Sequence, residues 1–143
     1  MDEETYRERL GRVLADHTED LAARLRTIAE VAAGPAGEPV AGIAVEVFPG
    51  DDDEGAFDVW ARFDGPDAFA LNRPIDDVRH LFGVTYGEHG FEPDVPAPGL
   101  GRPGFDVGEV IVEVVASWVA PVWADLAPPA LPPFEVTRAG GCS

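Results

Sequence analysis

Three histidines and a run of acids are the residues on which chemistry could rest. His17, His80 and His89 show no metal-ligand spacing, and a lone cysteine, Cys142, excludes both a cysteine-rich zinc site and an internal disulfide framework. His80 or His89 could act as a general base, since catalytic partners need not be neighbours in sequence. However, the chain has no nucleophile elbow, phosphate-binding loop, H-E-x-x-H helix or zinc-deaminase signature. The expectation is a protein without cofactor or metal, a binding protein before an enzyme, with an undetected enzyme sited under the 87–105 loop kept as an alternative. Gly99-Leu100-Gly101-Arg102-Pro103-Gly104 spells G-x-G-x-x-G, yet no strand leads into it and Pro103 removes an amide that would face phosphate. It reads as a turn-rich loop.

The acids form a different kind of candidate. Asp51, Asp52, Asp53 and Glu54 are consecutive, but a calcium loop aligned on Gly55 would put Gly50 at its first ligand position, so the run reads as a solvated hairpin tip. Beyond it, Asp58 and Trp60 share the nominally polar face of a strand, where an exposed tryptophan between charges suits an interface anchor. These six residues, Asp51 to Glu54 with Asp58 and Trp60, are the candidate partner-binding set. The alternative is a small-molecule site under the 87–105 loop, using Arg73, His80, Tyr86 and His89. Gly140-Gly141 invites comparison with diglycine carrier tails, but two residues follow, which favours a frayed end.

These groups need elements to position them. From Tyr6 to Val31, apolar residues recur at spacings of three and four (Leu10, Leu14, Leu21, Leu25, Ile28), which predicts one amphipathic helix over 3–33, with His17 on its apolar stripe. The period then falls to two. Ile43, Val45 and Val47 alternate in one strand and Phe57, Val59, Ala61 and Phe63 in a second, and the Gly-, Pro- and Asp-rich connection predicts an antiparallel hairpin. Ala68 to Leu71 reads as a third strand. Residues 74–82 suit a short helix, and 80–86 equally a strand. Four prolines and five glycines make 87–105 a long irregular loop.

Asp106 and Glu109 then form a capping-box-like start to a second helix, whose stripe runs from Val107 to Val122 until Pro121 should kink or end it. No run of apolar residues approaches the uninterrupted length of a membrane span. The expected organisation is a single α+β domain over 1–127, an antiparallel sheet of three to five strands with the N-terminal and C-terminal helices on one face. A proline-rich tail follows over 128–143, with Phe134 and Val136 as anchors.

Charge narrows the partners. Of 143 residues, 27 are acidic and 10 are arginine, with no lysine, giving −17. Residues 38–113 hold 17 acids against four arginines, or −13, whereas 114–143 carry only −1. Such a field repels phosphate backbones and anionic lipid, so nucleic acid and membranes are poor partners, and the acidic amino terminus suggests a cytoplasmic protein.

The stretch Phe57-Asp58-Val59-Trp60-Ala61-Arg62, continuing through Gly65-Pro66-Asp67-Ala68 and Leu81-Phe82, resembles a family of small acidic actinobacterial proteins described only as a domain of unknown function. That resemblance implies a fold over about residues 3–123 and no activity. The element order and charge are also similar to type III secretion chaperone-like domains, which are small, acidic and often dimeric. Together these features point to an acidic protein-binding module, an immunity protein or chaperone-like adaptor, for a basic protein partner, with a homodimer compatible.

Overall fold

The computed structural model of the chain describes residues 2–35, 39–49, 57–87, 90–92, 105–126 and 131–138. It is α+β, with four helices and a four-stranded mixed sheet. The helices are α1 (Glu3–Ala15), α2 (Thr18–Ala33), α3 (Ala68–Asn72) and α4 (Val107–Leu126); the strands are β1 (Gly42–Pro49), β2 (Phe57–Asp64), β3 (His80–Gly83), β4 (Thr85–Gly87), β5 (Gly90–Glu92) and β6 (Phe134–Arg138). The sheet order is β3-β2-β1-β6, and β4 and β5 form a separate antiparallel pair.

The single N-terminal helix expected from periodicity is two helices. The stripe does run through, because Leu14 and Leu21 are seven residues apart and both fully buried. The backbone breaks between them at Asp16-His17: the His17 N–H bonds back only three residues, to the Leu14 carbonyl at 2.9 Å. The side chains of His17 and Thr18 are both held elsewhere. The His17 ring meets Phe82 edge-on at 5.3 Å, and the Thr18 hydroxyl accepts from Trp118 Nε1 of α4 at 3.0 Å. Asp2 caps α1 by accepting the Thr5 N–H at 2.7 Å, and its hydrogen bonding to Thr5 holds its carboxyl below the usual carboxylate range.

The hairpin is as expected. Phe57, Val59, Ala61 and Phe63 of β2 and Ile43, Val45 and Val47 of β1 point into the core, in the register Ile43 with Phe63 and Val47 with Val59. Each fully buried Val, Ile or Phe side chain contributes about 1.5–3 kcal/mol. The third strand is not Ala68 to Leu71. Asp67 accepts the Ala70 N–H and turns that segment into α3, with Leu71 and Ile75 buried. Residues 73–75 then make a 3-10 turn, and the strand reading of 80–86 holds over the helical one.

The sheet is mixed rather than antiparallel because β6 lies parallel to β1, pairing Ile43 with Phe134 and Val47 with Arg138. Residues 134–138 fall within the stretch expected to be a tail, and Phe134 anchors there by stacking on Trp123 at 4.5 Å. In α4, Asp106 accepts the Glu109 N–H as its capping signal suggested. Pro121 does not end the helix, which continues to Leu126. Pro121 and Ser117, whose carbonyl loses its bond, are both exposed, so water can serve that carbonyl. Among the described residues α4 is the one helix long and apolar enough to cross a membrane; here its stripe Val110, Ile111, Val115, Val119 and Trp123 packs into the same core as α1, α2 and β1.

One core group lacks a partner among the described residues. Tyr6 is fully buried beside Phe105, its hydroxyl makes no hydrogen bond to them, and burial pushes its pKa up to about 12. Because the unfolded tyrosine ionises near 10, this residue's contribution to stability is intact below pH 10 and is lost as pH rises towards 12. Tyr6→Phe should raise stability by about 1 kcal/mol by deleting an unsatisfied buried group, and should flatten the stability profile between those pH values. Urea unfolding at neutral and alkaline pH checks both; a Tyr6→Phe protein less stable than wild type would mean the hydroxyl has a partner in solution.

Candidate functional site

With α1, α2 and α4 packed on one face of the sheet, the even-numbered side chains of β1 and β2 form the other. Glu46 and Phe48 of β1 lie opposite Trp60 and Asp58 of β2, so two carboxylates and two aromatic rings alternate like a checkerboard. Of the β1 and β2 residues on this face only Ala44 is fully buried, and Phe48 is 42% exposed, one of two large apolar side chains left open to solvent among the described residues.

His80 completes the group through a bulge. Val59 pairs with Phe82 and Trp60 with His80, which leaves Leu81 as an extra residue on β3. The extra residue breaks the alternation, so Leu81 and Phe82 are both buried while His80 comes level with Trp60 on the outer face. The imidazole stacks on the Trp60 ring at 4.2 Å and 16°, and its Nε2 donates to Asp58 Oδ1 at 3.0 Å. The Arg79 guanidinium sits 5.8 Å from the centre of the same indole, and its Nε donates to the Ala61 carbonyl at 3.2 Å. Arg62 pairs with both Glu46 and Asp64 on this face.

Gly83 lies against the pair, since it is the register partner of Asp58. A Cβ there would come within 2.6 Å of the His80 ring and 2.8 Å of the Asp58 carboxylate. The obstructing atoms are the ends of two half-exposed side chains, so Gly83→Ala should leave the fold intact and separate His80 from Asp58. In the wild type the His80 ring should show the Nε2-protonated tautomer by 15N NMR; an unchanged tautomer and ring position in Gly83→Ala would contradict this packing.

Chemically, the cluster offers an imidazole oriented by a carboxylate, which is half of a general-base arrangement, together with a flat aromatic and charged surface. No group of three or more His, Cys, Asp or Glu among the described residues is placed to hold a metal ion. The structure gathers Asp58 and Trp60 from the partner-binding set, and it adds His80 from the alternative set. Arg73 is elsewhere, 5.3 Å from the Phe69 ring on α3, which is the other exposed large apolar side chain at 79%. Tyr86 is on β4, with its side chain outside the described residues, as are the whole of Asp51 to Glu54, His89, the glycine-rich 99–104 segment and the tail after Arg138. Glu46, Phe48, Arg79 and Gly83 were not singled out from the sequence. Phe48 and Glu46 carried the right alternation signal, whereas Arg79 and Gly83 depended on a strand that the sequence left open.

The model of a family of unknown function, DUF6389, matches residues 1–141. The chain belongs to the DUF6389 family. The resemblance carried by Phe57 to Arg62 therefore holds for the whole α+β unit, although the match says nothing of an actinobacterial origin. No curated protein and no solved structure matches the chain. In this DUF6389 protein the candidate site is the outer face of the sheet, with Trp60 stacked on His80.

Proposed function

We propose that the protein is a binding module whose outer sheet face engages a basic protein partner, in the manner of an immunity protein or chaperone-like adaptor. The observation that carries this reading is the Trp60–His80 stack, held by Asp58 and set beside an exposed Phe48 on a sheet face that, among the described residues, the helices leave uncovered. Tryptophan is the residue type most enriched at the energetic centre of interfaces, and carboxylates around it supply steering and selectivity for positive charge. The charge distribution agrees, with −13 of the −17 lying between residues 38 and 113. The connection carrying Asp51 to Glu54 leaves the sheet at Pro49 and returns at Phe57, next to Phe48 and Asp58.

The small-molecule alternative draws less support, because Arg73 contacts Phe69 whereas His80 contacts Trp60 and Asp58. The test is capture from native lysate on immobilised protein, with elution by salt. Retention of strongly basic proteins, released as ionic strength rises, is the expected outcome. Retention unaltered by charge reversal at Glu46 and Asp58 would sink the reading.

A further inference from the structure

The two edges of the sheet are finished very differently. On the β2 side, past the short β3, every inward residue has its backbone served: Ala61 by the Arg79 carbonyl and guanidinium, and Phe63 by the Asn72 side-chain amide, which accepts its N–H at 2.8 Å and donates to its carbonyl at 3.1 Å. That flank of β2, beyond the end of β3, is closed to strand addition. The β6 edge is not. In the parallel register, with the Ile43 N–H bonded to the Pro133 carbonyl, residues 133, 135 and 137 face β1, so the N–H and C=O groups of Phe134, Val136 and Arg138 point outward. Among the described residues no strand pairs with them. The same edge leaves apolar surface open. Phe134 and Val136 are on the core-facing side yet only half-buried, where Ile43, Val45 and Val47 beside them are 0–1% exposed.

We infer that β6 is a dimerisation edge, occupied by β6 of a second copy of this chain in antiparallel pairing. Charge selects this occupant. Two chains of −17 repel over most of their surface, but residues 114–143 carry only −1, and β6 itself holds one acid and one arginine. Placing Val136 opposite Val136 of the second copy satisfies all the outward groups. It also sets Phe134, stacked on Trp123, against Arg138 of the other chain, whose charge is paired with Asp106 at 3.9 Å, and Glu135 against the neutral Thr137, so no like charges meet. The sheet becomes continuous across a two-fold axis, with the acidic outer face of each copy left free. The inference is independent of the partner-binding reading, since it concerns the opposite edge from Trp60 and His80.

Two measurements test it. Sedimentation equilibrium should give a mass of about 30 kDa, twice that of the 15.2 kDa chain, at micromolar concentration and above. Hydrogen exchange should show the Phe134 and Val136 amides protected in step with dimer formation, whereas Glu135 and Thr137 are protected in either state by β1. Val136→Pro removes an N–H that β1 does not use, which edge strands tolerate, and should yield a folded monomer. Val136→Lys provides a second route to the same result should proline disturb the strand. A wild-type monomer at all concentrations, a dimer that survives both substitutions, or a wild-type dimer whose Val136 amide still exchanges fast overturns the proposal.

Discussion

Asn72→Ala is expected to destabilise the protein by about 2–4 kcal/mol, a large effect for a single polar substitution. Asn72 is the one buried polar side chain among the described residues, and it acts as a strand of a single residue. Its amide completes the ladder where β3 has ended, holding both the N–H and the C=O of Phe63, itself fully buried. Removing the amide strands a buried donor and a buried acceptor at once, and each costs about 1–3 kcal/mol when unsatisfied. Asn72→Asp should be damaging as well, because it keeps the acceptor for the N–H but loses the donor and buries a charge. Urea unfolding reads both, with an unchanged m-value marking a loss of stability rather than a change in the unfolded state. A loss below about 0.5 kcal/mol would show that water enters and replaces the amide.

The second large effect concerns binding. Trp60→Ala should weaken partner binding by at least about 30-fold, the 2 kcal/mol or more expected of a central aromatic anchor. The loss has two parts, because the indole offers its own surface and also supports the His80 ring stacked on it. Trp60 is only half-buried and lies outside the core, so the thermal midpoint should move far less than the affinity. Charge reversal at Glu46 and Asp58 should act differently, slowing association and flattening the salt dependence more than it speeds dissociation. Equal affinity in Trp60→Ala and wild type would remove Trp60 from the interface.

What could be read from the sequence follows from the range of the forces involved. The β1–β2 hairpin was legible because its period-two pattern, its turn residues and its pairing are all local; Phe57 to Phe63 alternate without exception. The start of α4 was legible for the same reason, through Asp106. The break at Asp16-His17 was not, because it is decided by distant partners, Phe82 for His17 and Trp118 for Thr18. Nor was the parallel pairing of β6, which depends on where α4 delivers the chain after a crossover. The candidate site shows the same division. Asp58 and Trp60 stood out because charge and aromatic character interrupt a strand's polar face. His80 was assigned to a different cluster, because only the bulge at Leu81 brings it level with Trp60. Gly83 carried no signal of its own, and its role is to leave room for the side chains of His80 and Asp58.

Function turns on whether the outer sheet face selects positive charge through Trp60 and its carboxylates. The most direct measurement is side-by-side capture from native lysate on immobilised wild type, Trp60→Ala and the Glu46, Asp58 charge-reversed protein, at about 50 mM and about 500 mM salt, with mass spectrometry of the eluates. Strongly basic proteins are expected on the wild type at low salt, released at high salt, and absent from both variants. The same proteins retained equally by all three, or a set of neutral proteins indifferent to salt, would contradict a charge-selecting face centred on Trp60.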